Sequence, residues 1–518
     1  KPADAKPEVV VKIDADGFEN RVRAIPAPPG NYGGLIATND GIAYLAFAQG
    51  GPPRLEFYNI EAKEKQTILE GIGGYVVSAD GKSVLFTRNG GYGILPLRPG
   101  GKATDGAIGV DKLAMRIDPK VEWMQMYVDV WRITRDWFYD PGMHGLDWKA
   151  IRAKYEVLIP HVMTRDDFNA VLGQLAGELN AGHAYVQGGN DSMVDRVDTG
   201  LLGADIVADP SGYFKIAKIF PGENWQEDFR SPLTEPGVKV STGDYILSVD
   251  GRPTREVRNF YELMEGKANR VVTLRVNSKP ELAGSREERI RPIRKETNMR
   301  YIDRMQGRRA EVARLSGGRI GFVHLPDTAV SGNRELFKTF APQVRKDALI
   351  FDARYNGGGF IPERMIELVG RRVLNFWVER GHEPQQVPGF AHAGPKAVLI
   401  NGYSASGGDA FPYYFRKLGL GPLIGMRTWG GLIGISGNPS MVDGGNITAP
   451  RFRFLDTDGK WAVEGEGVSP DIEVFDRPDL VAKGQDPTLE RAVQVLLAEL
   501  QKNGAPKRPK VPPVPSGK

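Results

Sequence analysis

Two short apolar runs, each leading into a glycine-rich turn, constrain this 518-residue chain more than any other feature. Ala348-Leu349-Ile350-Phe351 precedes Asp352-Ala353-Arg354-Tyr355-Asn356-Gly357-Gly358-Gly359-Phe360, and Ala397-Val398-Leu399-Ile400 precedes Tyr403-Ser404-Ala405-Ser406-Gly407-Gly408-Asp409. Runs this short and this rich in β-formers read as strands buried on both faces, the pattern of a parallel sheet. Each glycine turn then lies at a strand's carboxyl end, where open α/β sheets place their ligands. Asp409-Ala410-Phe411-Pro412-Tyr413-Tyr414-Phe415 begins a helix with an acid and a proline in its first turn, both favoured there. Ser406 therefore stands at a helix N-terminus, where unpaired N–H groups and the helix dipole favour an anion. Acyl transfer needs such a place, because its tetrahedral intermediate carries an oxyanion that must meet fixed donors. Gly407 N–H can supply one donor and the triple glycine, at Gly358, the other, since an amide without a side chain can approach a reacting carbonyl closely. Taken singly, either turn reads as well as a tight connection between sheet and helix.

These two turns resemble the tricorn branch of the C-terminal processing peptidases, together with Thr428-Trp429-Gly430-Gly431-Leu432-Ile433-Gly434-Ile435 and Val463-Glu464-Gly465-Glu466-Gly467-Val468-Ser469-Pro470-Asp471. The similarity runs in the same order through nearly the whole chain. In the other branch the base is a lysine within Thr-(aromatic)-Gly-Lys-Gly; here Gly431 stands at that lysine's position, which points to a histidine base. The resemblance implies a serine endopeptidase that degrades unfolded proteins or oligopeptides to short peptides. It implies Ser406 as nucleophile, His183 as general base, Glu464 as the carboxylate supporting it, Gly358 and Gly407 as oxyanion donors, and Gly430, Gly431, Ile433 and Gly434 along the substrate. No metal or organic cofactor is implied. The implied fold is multidomain α+β with an α/β catalytic domain of the ClpP/crotonase-like spiral type, and the implied assembly is a large homo-oligomer, of hexamer size.

Six histidines occur. His183, in Asn180-Ala181-Gly182-His183-Ala184-Tyr185, matches the place of the family's catalytic histidine. His144, His161, His382 and His392 read as surface or satisfied core residues, and His324, on an expected strand, is the one competitor. One departure stands out: the family carries a serine directly before this histidine, linking the ring to the glutamate, and this chain has Gly182. Glycine there leads us to expect a polar void that holds water, a tolerated Gly182→Ser, and a Glu464 that reaches His183 directly or through a water or hydroxyl. Gly182 is also the one feature favouring a second reading, a catalytically inactive peptide-binding scaffold that uses the PDZ and propeller domains.

The rest of the chain falls into blocks. Residues 1–112 show short β-like runs broken by turns: 34–38, 42–48, 54–60, 66–70, 74–78, 83–87 and 91–97, with hairpin signals at Asn39-Asp40-Gly41 and Ala79-Asp80-Gly81. A loose repeat of about 40 residues suggests about two blades of a partial β-propeller, its earlier blades belonging to a segment absent from this chain and carried on a separate chain; a small antiparallel sheet is the plainer reading. Residues 113–196 switch to helical period, with stripes Trp123, Tyr127, Val130, Trp131, Phe138 and Phe168, Val171, Leu172, Leu175, Leu179, the second opened by a capping-box start at Thr164 and Asp167. Residues 197–300 resemble a PDZ domain through Gly200-Leu201-Leu202-Gly203 and Gly243-Asp244-Tyr245-Ile246-Leu247-Ser248-Val249-Asp250-Gly251. Its first loop is expected either to offer N–H groups to a peptide carboxylate or, equally, to belong to a domain that only spaces the helical domain from the catalytic one. The catalytic domain is placed at 301–503. Residues 504–518, Pro- and Lys-rich, are expected to be a disordered tail.

Charge and composition bound the partners. Lys+Arg 68 against Asp+Glu 64 leaves +4, too balanced to argue for nucleic acid or a membrane surface. No apolar run approaches the ~18 residues of a membrane span. Without cysteine, disulfides and thiolate metal sites are excluded and the redox compartment is left open; a cytoplasmic location is the working expectation. The chain begins at Lys1 without a methionine or a signal-like segment, which reads as a processed, trimmed or dissected piece. In the tricorn pattern an acidic residue downstream of the triple glycine favours basic P1 side chains. The corresponding stretch here, Val373-Leu374-Asn375-Phe376-Trp377-Val378, is neutral and partly aromatic, so an apolar P1 is expected to be accepted as well as Arg or Lys.

Overall fold

The computed structural model describes residues 13–22, 24–47, 51–110, 112–189, 196–435, 437–507 and 509–513. The chain divides into two units, Lys1–Ile117 and Asp118–Lys518.

The first unit holds two four-stranded antiparallel sheets, each in sequence order. One is β1 (Asn31–Ala37), β2 (Gly41–Phe47), β3 (Arg54–Asn59) and β4 (Glu64–Glu70); the other is β5 (Gly74–Val77), β6 (Ser83–Arg88), β7 (Gly91–Pro96) and β8 (Ala107–Ile108). Each of the seven runs overlaps one of these strands; Thr38, Ile60, Ser78 and Leu97 lie one residue beyond a strand's end, and Ala48 falls outside the described residues. β8 is two residues long, too short to show a period. Ala43, Leu45, Leu55 and Ile68 of the first sheet share a buried core with Val84 and Phe86 of the second. Neither sheet closes on itself.

The second unit opens with α1 (Pro119–Trp137), α2 (Trp148–Glu156) and α3 (Arg165–Gly177). Asp118 caps α1 with Pro119 at its first position, and Thr164 and Asp167 form the capping box of α3; a cap of this kind is worth ~1 kcal/mol. The two stripes meet in one core, in which Tyr127, Val130, Phe168, Leu172 and Leu175 are fully buried. Trp131 and Trp148 each donate an indole N–H to the other's carbonyl, at 2.8 and 3.1 Å, satisfying both polar tips inside that core. Beyond α3 lies β9 (Val186–Gln187).

Next come β10 (Ala204–Ala208), β11 (Phe214–Ile219), β12 (Tyr245–Val249), β13 (Arg252–Pro253), β14 (Val272–Asn277) and β15 (Arg286–Ile290), in the order β10-β11-β12-β14-β15 with β13 folded back on β12. Gly200 N–H donates to Met264 O and Leu201 N–H to Ile293 O, both at 2.8 Å. Two of the donors expected to face a peptide carboxylate are thus used inside the domain.

The remainder is α/β: α4 (Thr297–Ser316), β16 (Ile320–His324), α5 (Val330–Phe340), β17 (Ala348–Asp352), α6 (Pro362–Val369), β18 (Asn375–Trp377), β19 (Gln385–Val387), β20 (Lys396–Ile400), α7 (Gly407–Lys417), β21 (Leu423–Gly425), β22 (Gly434–Ile435), β23 (Asn446–Ile447), β24 (Pro450–Phe452), β25 (Ile472–Glu473), α8 (Pro478–Val481) and α9 (Pro487–Asn503). Strands β16, β17, β20, β21 and β25 form a parallel sheet in that order. All residues of β17 and β20 are buried because helices cover both faces, which is why these strands read as unbroken apolar runs. The pairs β18/β19, β22/β24 and β9/β23 are antiparallel, and the last ties the end of the helical region to this part of the chain. Residues 504–507 and 509–513 form no helix or strand; 508 and 514–518 of the expected tail lie outside the described residues.

Candidate active site

β17 and β20 are parallel neighbours, so their carboxyl-end turns lie side by side. Asn401 Oδ1 accepts the N–H groups of Tyr355 and Tyr403, both at 3.1 Å, Ala405 N–H donates to Asn356 O at 2.9 Å, and Ser404 Oγ donates to Ala353 O at 2.8 Å. Beneath the first turn Arg354 is buried between Asp352 (2.7 Å), Asp486 (2.7 Å) and Asp476 (3.0 Å). Burial alone raises the Asp352 carboxyl, but the adjoining Arg354 outweighs it and holds that carboxyl below the ordinary range.

Ser406 caps α7 at φ 59°, ψ −116°. A non-glycine residue there carries strain on the order of 1–3 kcal/mol, the cost of a sharp strand-to-helix turn that lifts a serine hydroxyl clear of the backbone. Gly408 and Asp409 N–H donate to the Ala405 and Ser406 carbonyls at 2.8 Å, whereas Gly407, at the first helical position, has no intrahelical acceptor for its N–H. Gly358, at φ 85°, lies against Ser406: a Cβ on it would come within 2.8 Å of both Ser406 Cβ and Ala405 O. Only glycine allows that approach. Its N–H donates to Asn356 Oδ1 at 2.9 Å.

The segment 428–433 joins this turn to the histidine. Trp429 N–H donates to Ser404 O at 3.0 Å and Gly430 N–H to Asp409 Oδ1 at 2.8 Å; burial pushes the Asp409 carboxyl up. Three residues further on, Leu432 and Ile433 donate to Glu464 Oε2 at 2.6 and 2.9 Å, and Glu464 Oε1 accepts Gly182 N–H at 2.8 Å. Glu464 thus sits in a nest of three backbone donors, one of them on the residue before His183. Of the residues placed along the substrate, Gly430 and Ile433 give their N–H groups to carboxylates, Ile433 is buried, Gly431 Cα abuts Gly182, and Gly434 pairs with Phe452.

The void expected at Gly182 is absent. A Cβ there would meet Glu464 Oε1 at 2.9 Å and Gly431 Cα at 3.2 Å, because the carboxylate closes directly on the bare Gly182 peptide. Both Glu464 oxygens are thus engaged by backbone donors. The Nδ1 atom of His183 lies instead 2.9 Å from the Tyr185 hydroxyl.

His183 has φ 59°, an uncommon value held by its neighbours. Thr448 Oγ1 donates to His183 O at 2.6 Å and accepts Tyr185 N–H at 2.8 Å, while Thr448 N–H donates to Tyr185 O at 2.8 Å, extending the β9/β23 ladder. The Trp429 ring lies 5.5 Å from the imidazole, tilted by 49°. Burial lowers the His183 pKa, and the negative charge of Glu464 works against that shift. A buried pair, Arg165 Nε to Asp443 at 2.6 Å, anchors α3 to the loop before β23; removing one partner of such a pair costs ~3–5 kcal/mol. His324 lies at the end of β16, partly buried, with Nδ1 2.9 Å from the Tyr301 hydroxyl. Among the described residues no group of three His, Asp or Glu side chains is placed to hold a metal ion.

Sequence reading passed over Tyr185, Thr448 and the carboxylate role of Asp409. Tyr185 had no local signal, since His183 stands in a turn at φ 59° and strand alternation does not relate the two side chains. Thr448 had none, its partner lying 265 residues away.

Three domain families match: the Tricorn protease C1 domain at residues 119–177, the Tricorn protease PDZ domain at 200–295 and Peptidase family S41 at 319–474. Tricorn protease homolog 1 of Streptomyces coelicolor is 34% identical over 97% of this chain and 48% of its own length. The tricorn protease of Thermoplasma acidophilum is 29% identical over 95% and 46%. A chain of Sulfurisphaera tokodaii named as a tricorn-like protease C-terminal subunit is 29% identical over 95% and 58%. The crystal structure of the tricorn protease superposes with a TM-score of 0.86 at 27% identity, over 95% of this chain and 49% of that one. This chain spans about half the length of the curated relatives it matches. With the three domains in order and the Ser406 turn at the sheet's carboxyl edge, the chain belongs to peptidase family S41, in its tricorn branch.

Proposed function

We propose that this chain carries the active site of a tricorn-type serine endopeptidase that cuts unfolded proteins or oligopeptides into short peptides. The observation that supports this most is the strained Ser406 at the N-terminus of α7, packed against Gly358 and tied through Trp429 to the segment that faces His183. Ser406 Oγ attacks the scissile carbonyl; His183 takes its proton and returns it to the leaving amine. Gly407 N–H meets the oxyanion, and Gly358 N–H adds a second, three-centre bond shared with Asn356 Oδ1. Glu464 stabilises the imidazolium by its charge and holds the backbone at Gly182. The segment of Gly430, Gly431, Ile433 and Gly434 flanks the substrate between nucleophile and base, with Gly430 and Ile433 acting through the carboxylates they bind.

In the same reading, the two sheets of the first unit are the last two blades of a β-propeller, and the parallel sheet is of the ClpP/crotonase-like spiral type. The enzyme works as a homo-oligomer of hexamer size in the cytoplasm, the remaining blades lying on a further segment or a separate chain. The length of the relatives and the existence of a relative named as a C-terminal subunit support this arrangement. The neutral strand β18 and exposed Trp377 and Leu374 favour an apolar P1; a peptide-library profile dominated by Lys and Arg would overturn that. The inactive-scaffold alternative gains no support from the relatives. A fluorophosphonate probe tests the central reading: the protein should label and Ser406→Ala should not. Failure to label, with no hydrolysis of unfolded substrate, would return the scaffold to first place.

A further inference from the structure

We propose that Tyr185 is the positioning residue of the catalytic base: its hydroxyl accepts the Nδ1–H of His183 and so selects the tautomer in which Nε2 is free to receive the Ser406 proton. This rests on the reading of Ser406 and His183 as nucleophile and base. The geometry comes from three observations. The Tyr185 oxygen is 2.9 Å from Nδ1, the distance of a good hydrogen bond. Among the described residues Glu464 makes no hydrogen bond to the ring; its oxygens are turned to the Gly182, Leu432 and Ile433 N–H groups. Thr448 bonds the backbone of Tyr185 on both sides, N–H and carbonyl, so the ring projects from a clamped strand end and not from a free loop.

Which partner donates follows from electrostatics. A phenol that donated to Nδ1 would leave Nε2 protonated and useless as a base. The charge of Glu464 acts on both rings: together with burial it raises the Tyr185 pKa, and it works against the burial that lowers that of His183. The phenol therefore stays protonated, and its O–H dipole turns its hydrogen toward the carboxylate and its lone pairs toward Nδ1–H. The chain thus replaces a link through the residue before the histidine with one through the residue two positions after it, which the left-handed turn at His183 brings to the ring. Glu464 and Tyr185 are the titratable groups that act on this imidazole in the structure.

The test is Tyr185→Phe in the full chain, assayed for kcat, KM and the pH profile, with thermal unfolding as control. We expect kcat to fall about 100-fold with KM within about twofold, less than the ~10⁴ lost when a protease triad's carboxylate is replaced, because a neutral acceptor is weaker. The acidic limb of kcat/KM should move to lower pH, because losing the Nδ1–H acceptor destabilises the imidazolium. Because Tyr185 is 39% exposed, the phenylalanine variant should fold. If its melting temperature nonetheless drops, fluorotyrosine at 185, a poorer acceptor of nearly the same shape, should lower kcat several-fold without that drop. Activity within twofold of the parent, or a loss with no shift of the acidic limb, overturns the proposal. Fluorophosphonate labelling separates the two failures: a labelled parent with a fully active Tyr185→Phe removes Tyr185 alone, whereas an unlabelled parent removes the nucleophile reading beneath it.

Discussion

The two ends of the candidate site are built by different means. Around Ser406 the restraints are hydrogen bonds and close glycine packing within adjacent turns of one sheet, such as Gly358 N–H on Asn356 Oδ1 two residues away and Ser404 Oγ on Ala353 O in the neighbouring turn. Around His183 they are side chains reaching across the sequence: Thr448 over 265 residues, Arg165 to Asp443 over 278 and Glu464 to Gly182 over 282. The first kind of site is rigid because a buried parallel sheet cannot shift by less than a whole register. The second depends on a few polar side chains, each of which a single substitution removes. Changes at the nucleophile end should therefore abolish activity, and changes at the base end should grade it.

The sharpest test of the first half is Ser406→Ala. Loss of a serine protease nucleophile costs about 10⁴ to 10⁶ in kcat, and the variant should unfold at the parent's temperature, since the hydroxyl supports no core contact. Peptide hydrolysis within tenfold of the parent would sink the nucleophile assignment and the comparison with it.

Glu464→Gln comes next. Its amide nitrogen would have to face at least one of three N–H donors, and each lost charged hydrogen bond is worth ~1.5–3 kcal/mol. We expect kcat/KM to fall about 100-fold, measured on the same peptide. Full activity would show that the base end does not depend on the carboxylate that holds it.

Gly182→Ser should cost about tenfold in kcat although serine is the family's residue there, because its Cβ would stand 2.9 Å from Glu464 Oε1 and displace a carboxylate held by three donors. Improved turnover would mean that the carboxylate moves freely and the base end is softer than its hydrogen bonds indicate.

The smallest effect is on pH. A protonated His183 cannot accept the Ser406 proton, so activity is lost as pH falls through the folded pKa. Burial lowers that pKa from its ordinary 6.5, so the acidic limb of kcat/KM should have its midpoint below that value. Because the charge of Glu464 works in the raising direction, the limb in Glu464→Gln should lie lower still. A midpoint above about 7 in the parent would contradict the burial of this ring.

Much of the architecture was legible in advance for a reason visible in particular residues. Ala348–Phe351 and Ala397–Ile400 are apolar throughout because both faces of β17 and β20 are covered. Thr164 and Asp167 announced the start of α3 because a capping box is a local bond between residues three apart. The Gly182 site was misread. A missing side chain suggested space, but the sequence could not show that Glu464 and Gly431 fill it. In the PDZ loop the use of the Gly200 and Leu201 N–H groups was equally invisible, since it depends on Met264 and Ile293, far along the chain.

By itself, then, the sequence determined what short-range physics controls: strand and helix periods, caps, the glycines that let Gly358 lie on Ser406, and the absence of any thiol chemistry. The tertiary structure decided what meets His183 Nδ1. Whether a carboxylate, a water or a hydroxyl meets Nδ1 depends on angstrom-scale placement of groups separated by hundreds of residues, and no local pattern encodes it. It fell to Tyr185 because Thr448 clamps its backbone to β23 while Glu464, held by the Gly182 and 432–433 amides, is kept from the ring.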